Sequence, residues 1–170
     1  MGEDMAQKAF WGVVRGFAVS VVACGAMASA PAMASHYRLP VSNLVSSSEA
    51  EQFAKVGVST TLQLLQEVGD PARREAFAKK SGVSKDRLEA LANQVDLIRF
   101  DGIGPSMVAL LQASGIKNSR ALATADADAL HAAIVSANEA NKISQAVPQP
   151  GLVAAWVAQA KRLPQVVTGL

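Results

Sequence analysis

Asp101-Gly102-Ile103-Gly104-Pro105 is the stretch that decides the fold, two glycines around one isoleucine with helix-like sequence on either side. A sharp turn between two helices needs residues that tolerate unusual φ, and this is the expected task of Gly102 and Gly104. Ile103 can plug the core beneath the turn, and Pro105 is suited to the first position of the next helix. That helix is expected to carry Val108, Leu110 and Leu111 and to end at Gly115-Ile116. Upstream, Leu88, Leu91, Ala92, Val95 and Ile98 recur at spacings of three and four, the pattern of one buried helical stripe.

The same punctuation recurs outward from this point. In Gly57-Val58-Ser59 and Gly82-Val83-Ser84 the glycine can end a helix, the valine can pack back on it and the serine can cap the next. Asp70-Pro71 is a further start signal, a capping aspartate before a proline. Ser48 and Glu51 have capping-box spacing, which predicts a helix to Val56. The next helix should carry Leu62, Leu64, Leu65 and Val68 before Gly69. Downstream, a short helix is expected around Ser119–Ala123. A longer one, capped by Thr124 or Asp126, should run through Leu130, Ile134 and Ala137 to about Asn141. Val147-Pro148-Gln149-Pro150-Gly151 reads as a break, followed by a last amphipathic helix Leu152–Leu163 with Trp156, stopped by Pro164.

An internal duplication runs through this pattern. Gly57-Val58 and Gly115-Ile116 stand 58 residues apart, and the same offset pairs Val45 with Ile103, Ala50 with Val108, Phe53 with Leu111 and Leu64 with Leu122. Leu44 and Ser46 then fall where the second copy has Gly102 and Gly104. The expectation is two helix–hairpin–helix-like units, the first degenerate, joined by a two-helix insert. The fold class is an all-α compact bundle of short helices. Its composition agrees: apolar residues make up 50% and aromatics only 5%, so alanine, leucine and valine must make most contacts.

Residues 1–34 read as a secretory signal peptide. Lys8 and Arg15 precede an uncharged run that starts at Gly16, and the segment closes at Ala32-Met33-Ala34, a small-x-small cleavage pattern. Ser35 is then the first mature residue, and the product is periplasmic or secreted in a bacterium. Two alternatives place the protein on a membrane facing the periplasm. Residues 16–34 contain no charge and are just long enough to remain as an anchor, and Val21-Val22-Ala23-Cys24 resembles a loose lipobox that would lipidate Cys24. Cys24 is the only cysteine, so cleavage after Ala34 leaves a chain without thiol chemistry. Behind the signal, residues 35–46 are expected to be irregular, 47–163 to form the helical domain, and 164–170 to be a C-terminal tail.

The hairpin has one chemical prospect. A helix that starts after such a turn leaves backbone N–H groups free, and these suit an anion such as a nucleic-acid phosphate. Gly102, Ile103, Gly104 and Ser106 form the candidate binding turn, with Lys117 and Arg120 as the nearest prospective cations. The opposing signals are strong. Asp101 adjoins the turn and repels anions. The signal segment holds two charges of each sign, so the mature part keeps the whole chain's net charge of +2, low for a DNA-binding domain.

Val95–Leu122, with its acidic-Leu-Ile-Arg-x-x-Gly-Ile-Gly-Pro run and Gly115-Ile116 sequel, resembles the DUF4332 family, bacterial proteins of unassigned function related to helix–hairpin–helix domains. The resemblance extends from about Tyr37 to Leu163 and takes in the degenerate first copy, Gly82-Val83 and the Trp156-Val157-x-x-Ala160 segment. It departs at Val108, where helix–hairpin–helix units commonly have alanine. It implies a fold and carries no activity with it.

Other candidates weigh less. His36 and His131 lie far apart in the sequence and read as ordinary surface or packing residues. Asp126 and Asp128 read as first-turn charges, Trp156 as core, and Arg73-Arg74 with Lys79-Lys80 as a solvated basic face. No nucleotide loop, nucleophile motif or zinc pattern appears. The expectation is a non-enzymatic exported module without cofactor that contacts another envelope protein. The alternative is a periplasmic protein that contacts the DNA phosphate backbone.

Overall fold

The computed structural model describes residues 36–170. The signal segment, its cleavage at Ala34–Ser35 and Cys24 lie outside them. Among the described residues there are eight α-helices and no strand: α1 Ser47–Lys55, α2 Thr61–Val68, α3 Pro71–Ser81, α4 Lys85–Ile98, α5 Pro105–Ala113, α6 Ser119–Thr124, α7 Ala127–Asn141 and α8 Pro150–Arg162. A short 3-10 turn, Leu39–Val41, precedes them. The fold class is therefore all-α, as the pattern of caps and stripes predicts.

Most helix starts are where local chemistry puts them. Asp70, Ser84 and Asp126 each accept backbone N–H groups as N-caps, which satisfies donors that a helix start leaves open. Three expectations are corrected. The first capping box is Ser46 with Glu49, not Ser48 with Glu51: Glu49 N–H donates to Ser46 Oγ at 3.2 Å and Ser46 N–H to Glu49 Oε2 at 2.7 Å. The register follows the partner of Glu49, since Arg87 of α4 donates to its carboxylate at 2.6 and 3.1 Å. The cap of α2 is Thr60, boxed with Gln63, because the Ser59 carbonyl is used by Leu39 N–H at 2.9 Å. The break before α8 is shorter than expected, with Pro150 as the first helical residue and Gly151 inside the first turn.

The duplication is visible in backbone geometry. Shifted by 58 residues, Ser47–Lys55 coincides with Pro105–Ala113 at both ends. Both helices close in the same way. Gly57 and Gly115 take φ of 86° and 89°, and Val58 N–H and Ile116 N–H donate to Phe53 O and Leu111 O, each at 2.9 Å. Upstream, Ser42 N–H to Leu39 O repeats Phe100 N–H to Leu97 O, so the 3-10 turn is what remains of the first hairpin's leading helix. The pairing of Val45 with Ile103 slips, however. In the first copy Asn43 takes the positive φ, 54°, and Leu44 is the buried plug, one residue earlier than the offset places it.

The repeat is also longer than the sequence suggests. The packings of α1 on α3, α2 on α4 and α3 on α4 recur as α5 on α7, α6 on α8 and α7 on α8. What looked like a two-helix insert is the second half of the first unit. In each unit the fourth helix reaches back to its hairpin: Arg87 Nη2 donates to Leu44 O at 2.7 Å, and Trp156 Nε1 to Asp101 O at 2.8 Å. Helix α4 serves both units, since it also packs on α5 and α6 and leads directly into the second hairpin.

The Glu49–Arg87 link has a measurable consequence. The Arg87 hydrogen bond holds the Glu49 carboxyl down at about 2, below its ordinary 4.5. A carboxyl whose pKa falls on folding contributes stability above its unfolded pKa and loses it as pH falls toward the folded one. Arg87 is a third exposed, which keeps the effect to about 1–2 kcal/mol. Urea unfolding followed between about pH 5 and pH 2 should show this loss in the native chain and a flatter profile in Glu49→Gln.

Candidate functional site

The hairpin forms as α4 runs out of apolar stripe. Phe100 N–H closes on Leu97 O at 3.2 Å and Ile103 N–H on Phe100 O at 3.1 Å. Gly102 takes φ of 79° and Ile103, with 0% exposure, fills the core beneath it. Gly104 differs from the expectation of unusual φ. It is an ordinary extended N-cap at φ −90°, ψ 178°, and its lack of a side chain serves close approach, since a methyl there would stand 3.2 Å from Tyr37 Oη. The carbonyl of Asp101 is taken by the Trp156 indole. A methyl on Gly102 would have Trp156 Nε1 at 3.6 Å and Leu152 Cδ1 at 3.8 Å. The turn is thus bounded by α8 at Gly102 and by Tyr37 at Gly104.

These contacts separate the two glycines experimentally. Gly102→Ala fits in space but must hold a left-handed backbone, a cost of about 1–2 kcal/mol. Gly104→Ala meets only the movable end of Tyr37 and should cost less than about 1 kcal/mol. Trp156 is the single tryptophan beyond residue 34, so its fluorescence in a urea titration of Ser35–Leu170 reads both.

The first turn of α5 has no side-chain cap, and Pro105 has no N–H to offer. The amides of Ser106 and Met107 are therefore the donors that helix geometry leaves open, and Ser106 is exposed. The cations are elsewhere. Arg99, closest in sequence, is committed: it donates to Asp96 Oδ1 at 2.9 Å and Pro164 O at 3.0 Å and lies 4.9 Å over the Phe100 ring. Arg120 lines a cleft of about 20 Å³ with Asp96, Asn118, Gln165, Val167 and Leu170, and no hairpin residue shares that lining. The space suits one water molecule. Lys117 is exposed in the α5–α6 joint.

Two polar residues missed by the sequence pattern carry much of this region. Asp96, inside the buried stripe of α4, accepts Arg99 through Oδ1 and the Ser119 N–H of α6 through Oδ2 at 2.9 Å. Arg74, read as part of a solvated basic face, has 0% exposure. Its Nε donates to Val68 O at 2.8 Å and its Nη2 to Thr168 O at 2.9 Å. Of its basic neighbours, Lys79 pairs with Glu75 and Lys80 donates to Val56 O. His131 Nε2 lies 3.1 Å from Pro148 O in the α7–α8 connection. Among the described residues no three His, Cys, Asp or Glu side chains gather as a metal site.

Duplicated four-helix units with a glycine turn between α4 and α5 define an all-α protein of repeated helical hairpins. The family model of a domain of unknown function, DUF4332, matches residues 44–163, and the chain belongs to that family. Comparison with curated proteins and with solved structures gave no match.

Proposed function

We propose that the chain is a non-enzymatic, exported helical module that contacts another protein of the cell envelope. The observation that favours this reading is the state of the hairpin. Its plug is buried, its Asp101 carbonyl is taken by Trp156, and the adjacent Arg99 is spent on Asp96 and Pro164. A shallow groove of about 380 Å³ between α2 and the C-terminal segment adds support. Leu62, Leu65 and Val166 line it together with Asp70 and Arg73, an apolar centre with a charged rim of the kind protein contacts use. No described helix is long and apolar enough to cross a membrane.

The uncapped start of α5 favours a second reading, contact with a DNA phosphate through the Ser106 and Met107 amides, with Lys117 and Arg120 meeting other phosphates of the same duplex. Titration of Ser35–Leu170 against duplex DNA at low and moderate salt decides between them. Phosphate contact would make affinity fall steeply with salt, and Lys117→Ala or Arg120→Ala would flatten that slope. The favoured reading expects no binding at low salt and capture of a partner from an envelope extract. The mass of the mature N-terminus distinguishes Ser35, a lipidated Cys24 and a retained anchor.

A further inference from the structure

The C-terminal segment 164–170 lies across the first unit and α6 as an extended strap. Its attachments are mostly main-chain. Thr168 N–H donates to Gly69 O at 2.9 Å, and Arg74 Nη2 and Nη1 donate to Thr168 O and Gly169 O at 2.9 and 3.5 Å. Arg99 Nη2 donates to Pro164 O, and Ser119 Oγ bonds Gln165 Oε1 at 3.2 Å. Only Val167 is buried; Val166 and Leu170 point enough outward to be 41% and 45% exposed. The strap backbone approaches α2 so closely that a methyl on Gly69 would stand 2.9 Å from Val166 O. The residues that grip it, Gly69, Arg74, Arg99 and Ser119, lie inside the family match, and the strap lies beyond its end at 163.

This is a groove whose chemistry asks for an extended backbone. The buried Arg74 fork needs carbonyl acceptors, the Gly69 carbonyl needs an N–H, and one small apolar side chain must enter at the Val167 position. A seven-residue segment with one buried side chain, joined to the helices chiefly through its own main chain, is a unit that can open while the helices stay folded, and a second strap restores the Arg74 bonds that opening removes. The segment that fits is the chain's own. We propose that the groove over Gly69 and Arg74 is a strap-binding site that residues 164–170 of a second copy can fill in exchange for the cis strap. This goes beyond the protein-contact reading, because the partner is a second copy of the chain and not another envelope protein. A segment gripped through main-chain atoms exchanges between identical copies without any new interface being required.

Two full-length variants test it by complementation. Val167→Asp cannot seat its own strap but keeps the groove. Gly69→Ala keeps a normal strap but has a groove that its new methyl closes, and its helical backbone angles suit alanine. Each alone should be monomeric by light scattering, and their mixture should give a heterodimer. A fluorescein-labelled peptide of residues 163–170 should bind Val167→Asp about tenfold or more better than wild type, whose tethered strap competes at millimolar effective concentration. It should not bind Gly69→Ala. Folded variants with neither heterodimer nor peptide binding would overturn the proposal. So would failure of both Val167→Asp and the milder Thr168→Pro to fold, since the strap would then be core. A partner still captured from the envelope extract after that failure would leave the protein-contact reading standing, and a heterodimer with an empty extract would mean the reverse.

Discussion

Arg74→Ala is expected to lower the stability of the fold by about 3–5 kcal/mol, the range for removing one member of a buried, hydrogen-bonded charged network. The guanidinium has 0% exposure and connects three places in one step: the end of α2 at Val68 O, the strap at Thr168 O and, at 3.5 Å, Gly169 O. Truncation strips those carbonyls of donors and leaves a void between the end of α2 and the strap. Charge alone is a small part, because the nearest carboxylate, Glu89, is 3.8 Å away and a third exposed. Arg74→Lys should therefore recover little, since a point charge cannot reproduce a planar fork that reaches two carbonyls at an angle. Arg74→Met restores most of the volume and none of the donors, so its deficit relative to wild type reports the hydrogen bonds. Urea unfolding read by Trp156 fluorescence gives all three values. A loss below about 1 kcal/mol for Arg74→Ala would place the residue on the solvated face that its neighbours Arg73 and Lys79 occupy.

Arg74 also shows where sequence reading stops. Helix starts at Asp70, Ser84 and Asp126, and the Gly57, Gly82 and Gly115 joints, depend on interactions within four or five residues, so their residues announce them. The α4 stripe and the all-α class follow from periodicity in the same way. The burial of Arg74 depends on Thr168, 94 residues later, and nothing in an Arg-Arg pair on a short helix signals it. The choice of Ser46 over Ser48 has the same origin, for three consecutive serines are locally equivalent and Arg87 of α4 selects the register through Glu49. The hairpin itself was legible as a turn with an isoleucine plug. Its surroundings were not: Gly104 is needed for Tyr37, far upstream in sequence, and Arg120 faces the C-terminal segment instead of the turn.

Asp96→Ala should cost about 3–4 kcal/mol by the same logic applied to an acceptor. Asp96 is 1% exposed, and its two oxygens do different jobs. Oδ2 accepts the Ser119 N–H, a buried donor in the first turn of α6, while Oδ1 holds Arg99, whose other end reaches Pro164. Helix α6 has only six residues, too few to be stable by propensity, so its position rests on Asn118 as cap and Asp96 as anchor. Asp96→Asn keeps the shape but sets an amide N–H₂ against either the Arg99 or the Ser119 donor, and should still cost about 2–3 kcal/mol. A double-mutant cycle with Arg99→Ala isolates the ion pair, with a coupling of about 1–2 kcal/mol expected for touching charged groups. The remaining loss belongs to Ser119. Hydrogen exchange at the Ser119 amide reads that part directly: it should accelerate in Asp96→Ala and stay protected in Arg99→Ala. If both variants exchange alike, Asp96 acts through Arg99 and the strap rather than through α6.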